Sequence, residues 1–358
     1  MRPLPFLRRQ SAALACALLA FASYALAQVP QAIRIGIANA PSGNPPRLSS
    51  GSAMAIANVR GLIEEEFRAD GIKVEWYFFK GTGPAVNEAL TNHQLDFALQ
   101  GDLPSIIGRA NGLKTRVLLI LGSRTNAYLL VPPQSPVRAV ADIRGKRIAF
   151  SKGTMTQLPV NRILEANGMS ERDIRAVNLD TGSAQAALVN QDIDGLFGGA
   201  ALLKLRDQGV ARVVYSTKTA PTFTGQSVML VTESFADKHS RLTQRTVKAL
   251  ARAAQWASDD ANREEVFRIW ALGGTPASVW REEFEGTPLA VRLSPRFDPF
   301  AVARLRDAVA DAYRFRLIRK HFEVSQWIAP AYLEAALKEL KLEQAWPQFD
   351  TSGKPLAP

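Results

Sequence analysis

The chain has 358 residues, a formal charge of +11 and one cysteine. That length exceeds one typical domain and calls for two compact lobes. Cysteine usage excludes a disulfide framework, and the positive charges are dispersed, with no run of five or six Lys/Arg to make a nucleic-acid arm.

Residues 1–27 read as a secretory leader. Arg2, Arg8 and Arg9 give a basic start, an apolar run follows from Ala12 to Leu26, and Ala25-Leu26-Ala27 offers a small-x-small cleavage site before Gln28. The run is shorter than the ~20 residues of a spanning helix, and Pro30 lies just beyond it. Cys16 sits inside this leader, and Ala13-Leu14-Ala15 is a poor lipoprotein signal. The exported chain therefore has no thiol, and its stability rests on an ordinary apolar core.

From residue 33 short strand-like runs alternate with helical ones. Strands are expected over 33–37, 73–79, 96–99, 115–121 and 128–131, with helices over 52–69, 84–92 and 103–111. Ile56, Val59, Ile63 and Phe67 mark one face of the first helix at spacings of three and four. The order then repeats: strands over 146–150, 175–179 and 193–197, helices over 155–167 and 183–190. Within it, Ala89-Leu90-Thr91-Asn92-His93-Gln94-Leu95-Asp96 lines up with Ala187-Leu188-Val189-Asn190-Gln191-Asp192-Ile193-Asp194. After a strand at 228–232, helices dominate: 241–258, 262–272, 300–316 and 331–342. Alternation of this kind makes an α/β fold with helices on both faces of mostly parallel sheets. Pro132-Pro133, Ser135-Pro136 and the stretch Pro221 to Gly225 break the chain on either side of the repeat, as crossings between lobes would.

Catalytic chemistry is sparse. Beyond the leader the histidines are His93, His239 and His321, with no HxxxH pair and no nucleophile elbow. Glycine turns between strand and helix are the stronger signal: Gly51-Ser52, Gly81-Thr82-Gly83-Pro84, Gly101-Asp102 and Ser151-Lys152-Gly153-Thr154. Val86 stands where a dinucleotide turn wants glycine. The more general physics remains, because uncapped N–H groups at a helix start stabilise an anion. An open α/β sheet lines such turns along one edge, so two facing lobes would gather them at one cleft. The expected ligand-binding residues are Gly51, Ser52, Gly83, Gly101, Asp102, Gly153, Thr154, Thr156, Thr224 and Gly225. Lys80, Arg124 and Lys152 are candidate counter-charges, and Trp76 and Phe79 candidate covers for an apolar ligand part.

Several segments together resemble the periplasmic binding proteins of ABC importers for aliphatic sulfonates, with the related taurine and nitrate binders. They are Gly83-Pro84, Leu95-Asp96, Gly101-Asp102-Leu103-Pro104, Ala141-Asp142-Ile143-Arg144-Gly145-Lys146, Ser151-Lys152-Gly153-Thr154, Thr224-Gly225 and Gln326-Trp327-Ile328-Ala329-Pro330. The resemblance runs over residues 33–345. It implies a two-lobed type II periplasmic-binding-protein fold with a hinge and an interlobe ligand cleft. One lobe would comprise 32–134 and 226–350, the other 135–225. It also implies a periplasmic monomer that binds a small organic anion, a sulfonate first, closes by hinge motion and docks on a membrane ABC permease. No enzymatic activity, cofactor, metal, nucleic acid or stable membrane insertion is expected. Two departures stand out: a longer, proline-rich Asn39–Ser50 segment, and Gly198-Gly199-Ala200 where many members carry an acidic-aromatic segment. An enzyme on the same fold acting on a thiamine-pyrimidine or menaquinone precursor stays open as an alternative, as does a ligand-sensing receptor partner.

Overall fold

A computed structural model describes residues 30–43, 45, 47–48 and 51–357. The expected leader, Cys16 and part of the Asn39–Ser50 segment lie outside them. Among the described residues no helix is long and apolar enough to cross a membrane.

Two five-stranded sheets organise the chain. The first begins with β1 (Ala32–Ile37), β2 (Lys73–Phe78), β3 (Phe97–Gly101) and β4 (Thr115–Thr125). The chain then builds the second from β5 (Tyr128–Val131), β6 (Arg147–Phe150), β7 (Arg175–Asn178), β8 (Gly195–Gly198) and β9 (Arg212–Ser216). It returns to the first with β10 (Gly225–Thr232).

The strand orders are β2-β1-β3-β10-β4 and β7-β6-β8-β5-β9. In each, the second strand of the order pairs in parallel with both of its neighbours, the third also meets an antiparallel fourth, and the fourth meets an antiparallel fifth. The repeat seen in the sequence is thus repeated architecture. Strand Tyr128–Val131, grouped by sequence with the first block, belongs to the second sheet: it pairs with both β8 and β9. A crossing comes at residues 126–127, before that strand and ahead of the proline pairs.

The aligned octapeptides build the same clip twice. His93 and Gln191 both take left-handed backbone, φ 56° and 62°. Asp96 Oδ2 accepts the Arg34 backbone N–H at 2.9 Å, and Asp194 Oδ2 accepts that of Arg147 at 2.7 Å. Each arginine side chain then bonds the same aspartate and a turn carbonyl, His93 O at 2.8 Å or Gln191 O at 3.1 Å. One carboxylate ties β1 to the start of β3, and its counterpart ties β6 to the start of β8.

The helices follow the reading with small shifts: α1 (Ala53–Arg60), α2 (Leu62–Phe67), α3 (Thr82–Thr91), α4 (Asp102–Ala110), α5 (Gln157–Ala166), α6 (Thr181–Val189), α7 (Leu203–Asp207), α8 (Ser240–Ser258), α9 (Arg263–Ala271), α10 (Ala277–Glu283), α11 (Pro299–Arg314) and α12 (Pro330–Leu340). The helix expected over 52–69 breaks at Gly61, whose φ of 63° ends α1 in a left-handed cap. Helices α7 and α10 and strand β9 escaped the sequence reading.

Ile33, Ile35 and Ile37 of β1 are fully buried, and α8 lays Val247, Leu250 and five buried alanines on the same core. Each such aliphatic chain contributes about 1.5–3 kcal/mol. The Ala141–Lys146 motif is architectural: Asp142 of Ala141-Asp142-Ile143 accepts the N–H groups of Arg138 and Ala139 at 2.7 and 2.9 Å, turning the chain into β6. The Trp327-Ile328-Ala329 segment bridges to β4, where Val117 donates to Trp327 O at 3.0 Å and accepts from Ala329 at 2.8 Å.

Candidate functional site

The chain passes between lobes at residues 126–127 and again over 217–224. A buried network straddles these crossings. Glu283, at the end of α10, accepts from Tyr128 and from Asn126 Nδ2 (2.9 Å) and pairs with Arg292 (2.8 Å). Burial, with the Glu283 charge adding to it, pushes the Tyr128 phenol far up. Thr217 Oγ1 accepts from Ala127 N at 2.9 Å and meets Asn126 Oδ1 at 3.2 Å, which joins both crossings.

Ion pairs bind the lobes on two further fronts. From α10, Glu282 holds Arg206 of α7 at 2.6 Å and takes Lys218 Nζ on its carbonyl at 2.7 Å. From α11, Asp311 holds Arg162 of α5 at 2.7 Å, and Arg314 meets Glu165. These α5 and α11 side chains, with Thr222, Phe223, Arg304 and Asp307, line a cavity of about 300 Å³.

The turns that sequence singled out converge in part. The second-lobe loop Ser151–Thr156 lies directly on the first lobe. Gly153, in left-handed backbone at φ 71°, sits against Pro84, and a Cβ built there would lie 3.3 Å from the Pro84 ring. Met155 lies against both Gly101 and Gly225. Gly83, at the start of α3, packs on Pro104 and near Gln100. Gly51 instead packs against Trp280 of α10, and the Ser52 carbonyl beside it accepts the Trp270 indole N–H at 3.1 Å.

Many donors at these turns are committed within the chain. Asp102 is 2% exposed and takes up N–H groups beside the start of its own helix: Leu103 N donates to Oδ1 at 2.7 Å, and Gln226 N to Oδ2 at 3.3 Å. Burial pushes its carboxyl up to about 6, against the opposing pull of Arg162 and the backbone N–H groups. In the second-lobe loop, Lys152 N donates to Asn178 Oδ1 (2.9 Å), Gly153 N to Gln157 Oε1 (2.7 Å), and Thr156 N to Thr154 Oγ1 (3.3 Å). Thr154 donates to Ser151 O (2.8 Å) and Thr224 to Pro221 O (2.6 Å). At α6, Asp180 accepts from Gly182 and Ser183 N–H, and these bonds, the Ser183 hydroxyl foremost and Lys80 across the lobes last, hold its carboxyl below the usual range. By contrast no side chain caps α1 at Ser52 or α3 at Gly81.

The candidate counter-charges divide. Lys152 pairs with Glu171 at 2.9 Å. Arg124 is stacked between Phe300 and Phe349, 4.2 and 4.7 Å from their ring centres, under the C-terminal segment. Trp76 donates to Glu64 Oε1 at 2.7 Å and packs with the first core, while Phe79 packs beside Val86 and Leu90 in another. Sequence reasoning missed Met155, Arg162 and Glu283. None lies in a recognisable motif, and each matters only through a partner far along the chain.

Comparison with known proteins fits this geometry. The NMT1/THI5-like family model matches residues 63–263. The chain belongs to the NMT1/THI5-like family. An aliphatic sulfonates-binding protein of Escherichia coli is similar at 28% identity, over 88% of this chain and 95% of that protein. The crystal structure of a periplasmic sulfonate-binding protein from Methylobacillus flagellatus, of a sulfonate ABC transporter, superposes with a TM-score of 0.77 at 30% identity. It covers 90% of this chain and 99% of that one. The desulfurization enzyme DszB shares the fold at 20% identity and a TM-score of 0.64, covering 86% and 99%. This member of the NMT1/THI5-like family therefore has the two-lobed fold of the periplasmic binding proteins, on which chemistry also occurs elsewhere.

Proposed function

We propose that the chain is an extracytoplasmic solute-binding protein that takes up a small organic anion between its lobes, a sulfonate first, and delivers it to an ABC permease. One observation carries the reading: two sheets with the same pattern of parallel and antiparallel pairing meet where the Ser151–Thr156 loop lies across Pro84, Gly101 and Gly225. A ligand held there touches both lobes, so binding shifts the population toward closure. The uncapped start of α3 at Gly81–Gly83 is the proposed seat for the anionic oxygens. Gly153 and Thr154 present the opposing wall. Asp102 and Thr224 are held by bonds within the chain, and Gly225 lies against Met155 of the loop. The division into lobes follows the sheets, residues 32–125 with 225–350 against 126–224, and the leader directs the chain to the periplasm.

Binding without turnover is favoured because the relatives at 28% and 30% identity are binding proteins, and because the chain beyond its leader has three histidines in no catalytic pattern. The test is a melting-temperature screen of the mature chain against alkanesulfonates, sulfate esters, nitrate and carboxylates, with each hit then assayed for breakdown. A rise of several degrees with sulfonates and no sulfite release supports the reading. Release of sulfite or another product makes the chain an enzyme; a response to none of the anions sinks the ligand class.

A further inference from the structure

We propose that Met155 is the closing key of the molecule: its side chain, carried by the second lobe, seats between Gly101 and Gly225 of the first and sets how far the lobes approach. The inference rests on the two-lobed binding reading and extends it to the residues that govern closure.

The two glycines sit on neighbouring, antiparallel strands, β3 and β10. Neither needs glycine for its backbone. Gly101 has φ −69° and ψ 167°, which any residue adopts, and Gly225 is likewise outside the left-handed region. What excludes a side chain is Met155. A Cβ on Gly101 would lie 2.4 Å from Met155 Cβ and 3.2 Å from its Cα. A Cβ on Gly225 would lie 2.8 Å from Met155 Cγ and 3.3 Å from Sδ. Two strand ends are thus bare where one second-lobe side chain arrives. Gly153 repeats the close approach two residues earlier, against Pro84.

A thioether chain suits this place. It is unbranched, so it threads between backbones, and it is apolar, so it asks for no partner when it withdraws. The contact exists only when the loop meets the first lobe. It therefore acts on the closed population alone, and its loss is read as faster ligand escape.

The distances give an internal control. Alanine at 155 lacks Cγ and Sδ but keeps Cβ. Met155→Ala therefore relieves a conflict with Ala at 225 and leaves a conflict with Ala at 101. The experiment uses the mature chain, whose only cysteine in the full sequence is Cys16 of the leader. Cysteines introduced at exposed Tyr77 and Val189, one on each lobe, carry spin labels for an interlobe distance. Hexanesulfonate serves as the ligand probe. Gly225→Ala is expected to lengthen the distance and weaken hexanesulfonate at least tenfold. Met155→Ala in that background restores the distance and most of the affinity, and in the Gly101→Ala background restores neither. Met155→Trp, at a half-buried loop position, props the lobes apart with both glycines intact and covers the case in which a glycine variant fails to fold.

Equal distances in Gly225→Ala and the parent, or a double variant as open as Gly225→Ala alone, overturn the proposal, as does a parent-like Met155→Trp. If the parent binds no sulfonate, the ligand class fails, and the distance series still decides the role of Met155.

Discussion

The two lobes are alike inside and unlike at their rims. Both run through the same pattern of two parallel and two antiparallel pairings, and an Arg–Asp clip locks β1 to β3 in one and β6 to β8 in the other. Their helix starts differ. In the first lobe α3 begins at Gly81 without a side-chain cap; in the second, Asp180 caps α6, α5 starts uncapped at Thr156, and the Ser151–Thr156 loop is filled with its own bonds. Repetition fixes what holds a sheet together, while the rims differ. The lesson is that the second lobe brings to the seam a loop already satisfied within itself.

The seam between the lobes is the harshest place to test that division. Arg162 is buried, held by Asp311 at 2.7 Å and by Thr224 O at 3.3 Å. Arg162→Met leaves Asp311 with Arg314 as its remaining partner and should cost about 3 kcal/mol in urea unfolding of the ligand-free protein. A loss under ~1 kcal/mol would mean that the lobes do not rest on this pair.

Asp102 and Asp180 should carry opposite pH signatures. The Asp102 carboxyl is raised to about 6 in the fold, so the folded state holds its proton more tightly than the unfolded chain. Its contribution is greatest below its unfolded value near 4 and declines as pH rises to about 6 and beyond, by roughly 2–3 kcal/mol. Asp180 is depressed, so its contribution is present above pH ~4 and fades as pH falls through its folded value; being exposed, it is worth under about 1 kcal/mol. Melting curves from about pH 2 to 8 should show the parent losing ground to Asp102→Asn as pH rises. Against Asp180→Asn the parent should lose ground only in acid. Matching trends would erase the distinction.

The paired clips give the finest comparison. Asp96 is 9% exposed at its side chain and Asp194 36%. Asp96→Ala should cost about 2–3 kcal/mol and Asp194→Ala about 1 kcal/mol or less, by denaturant midpoint at constant m-value. Equal costs would show that burial does not distinguish the copies.

Much of this was legible in the sequence. Strand and helix order followed from apolar spacing, and the Ala89–Asp96 and Ala187–Asp194 match pointed to a repeat that the clips make physical. Sheet membership of Tyr128–Val131 was not legible, because its partners β8 and β9 come more than sixty residues later, and spacing within a segment carries no partner. Glycine turns were legible as turns. Whether a turn is open depends on side chains that fold back onto it, as Asp102 does, or that arrive from afar, as Met155 does. Arg124 looked like a free cation because Phe300 and Phe349 lie far along the chain.

The bonds among Asn126, Ala127 and Thr217 have a topological consequence. The polypeptide enters and leaves its second sheet at one spot, with Thr217 N also donating to Ala127 O at 3.0 Å. Residues 126 to 217 are thus spliced into a single loop of the rest, start and finish side by side. That segment, excised, could be sealed head to tail into a ring by a short linker, and the remainder rejoined across the gap.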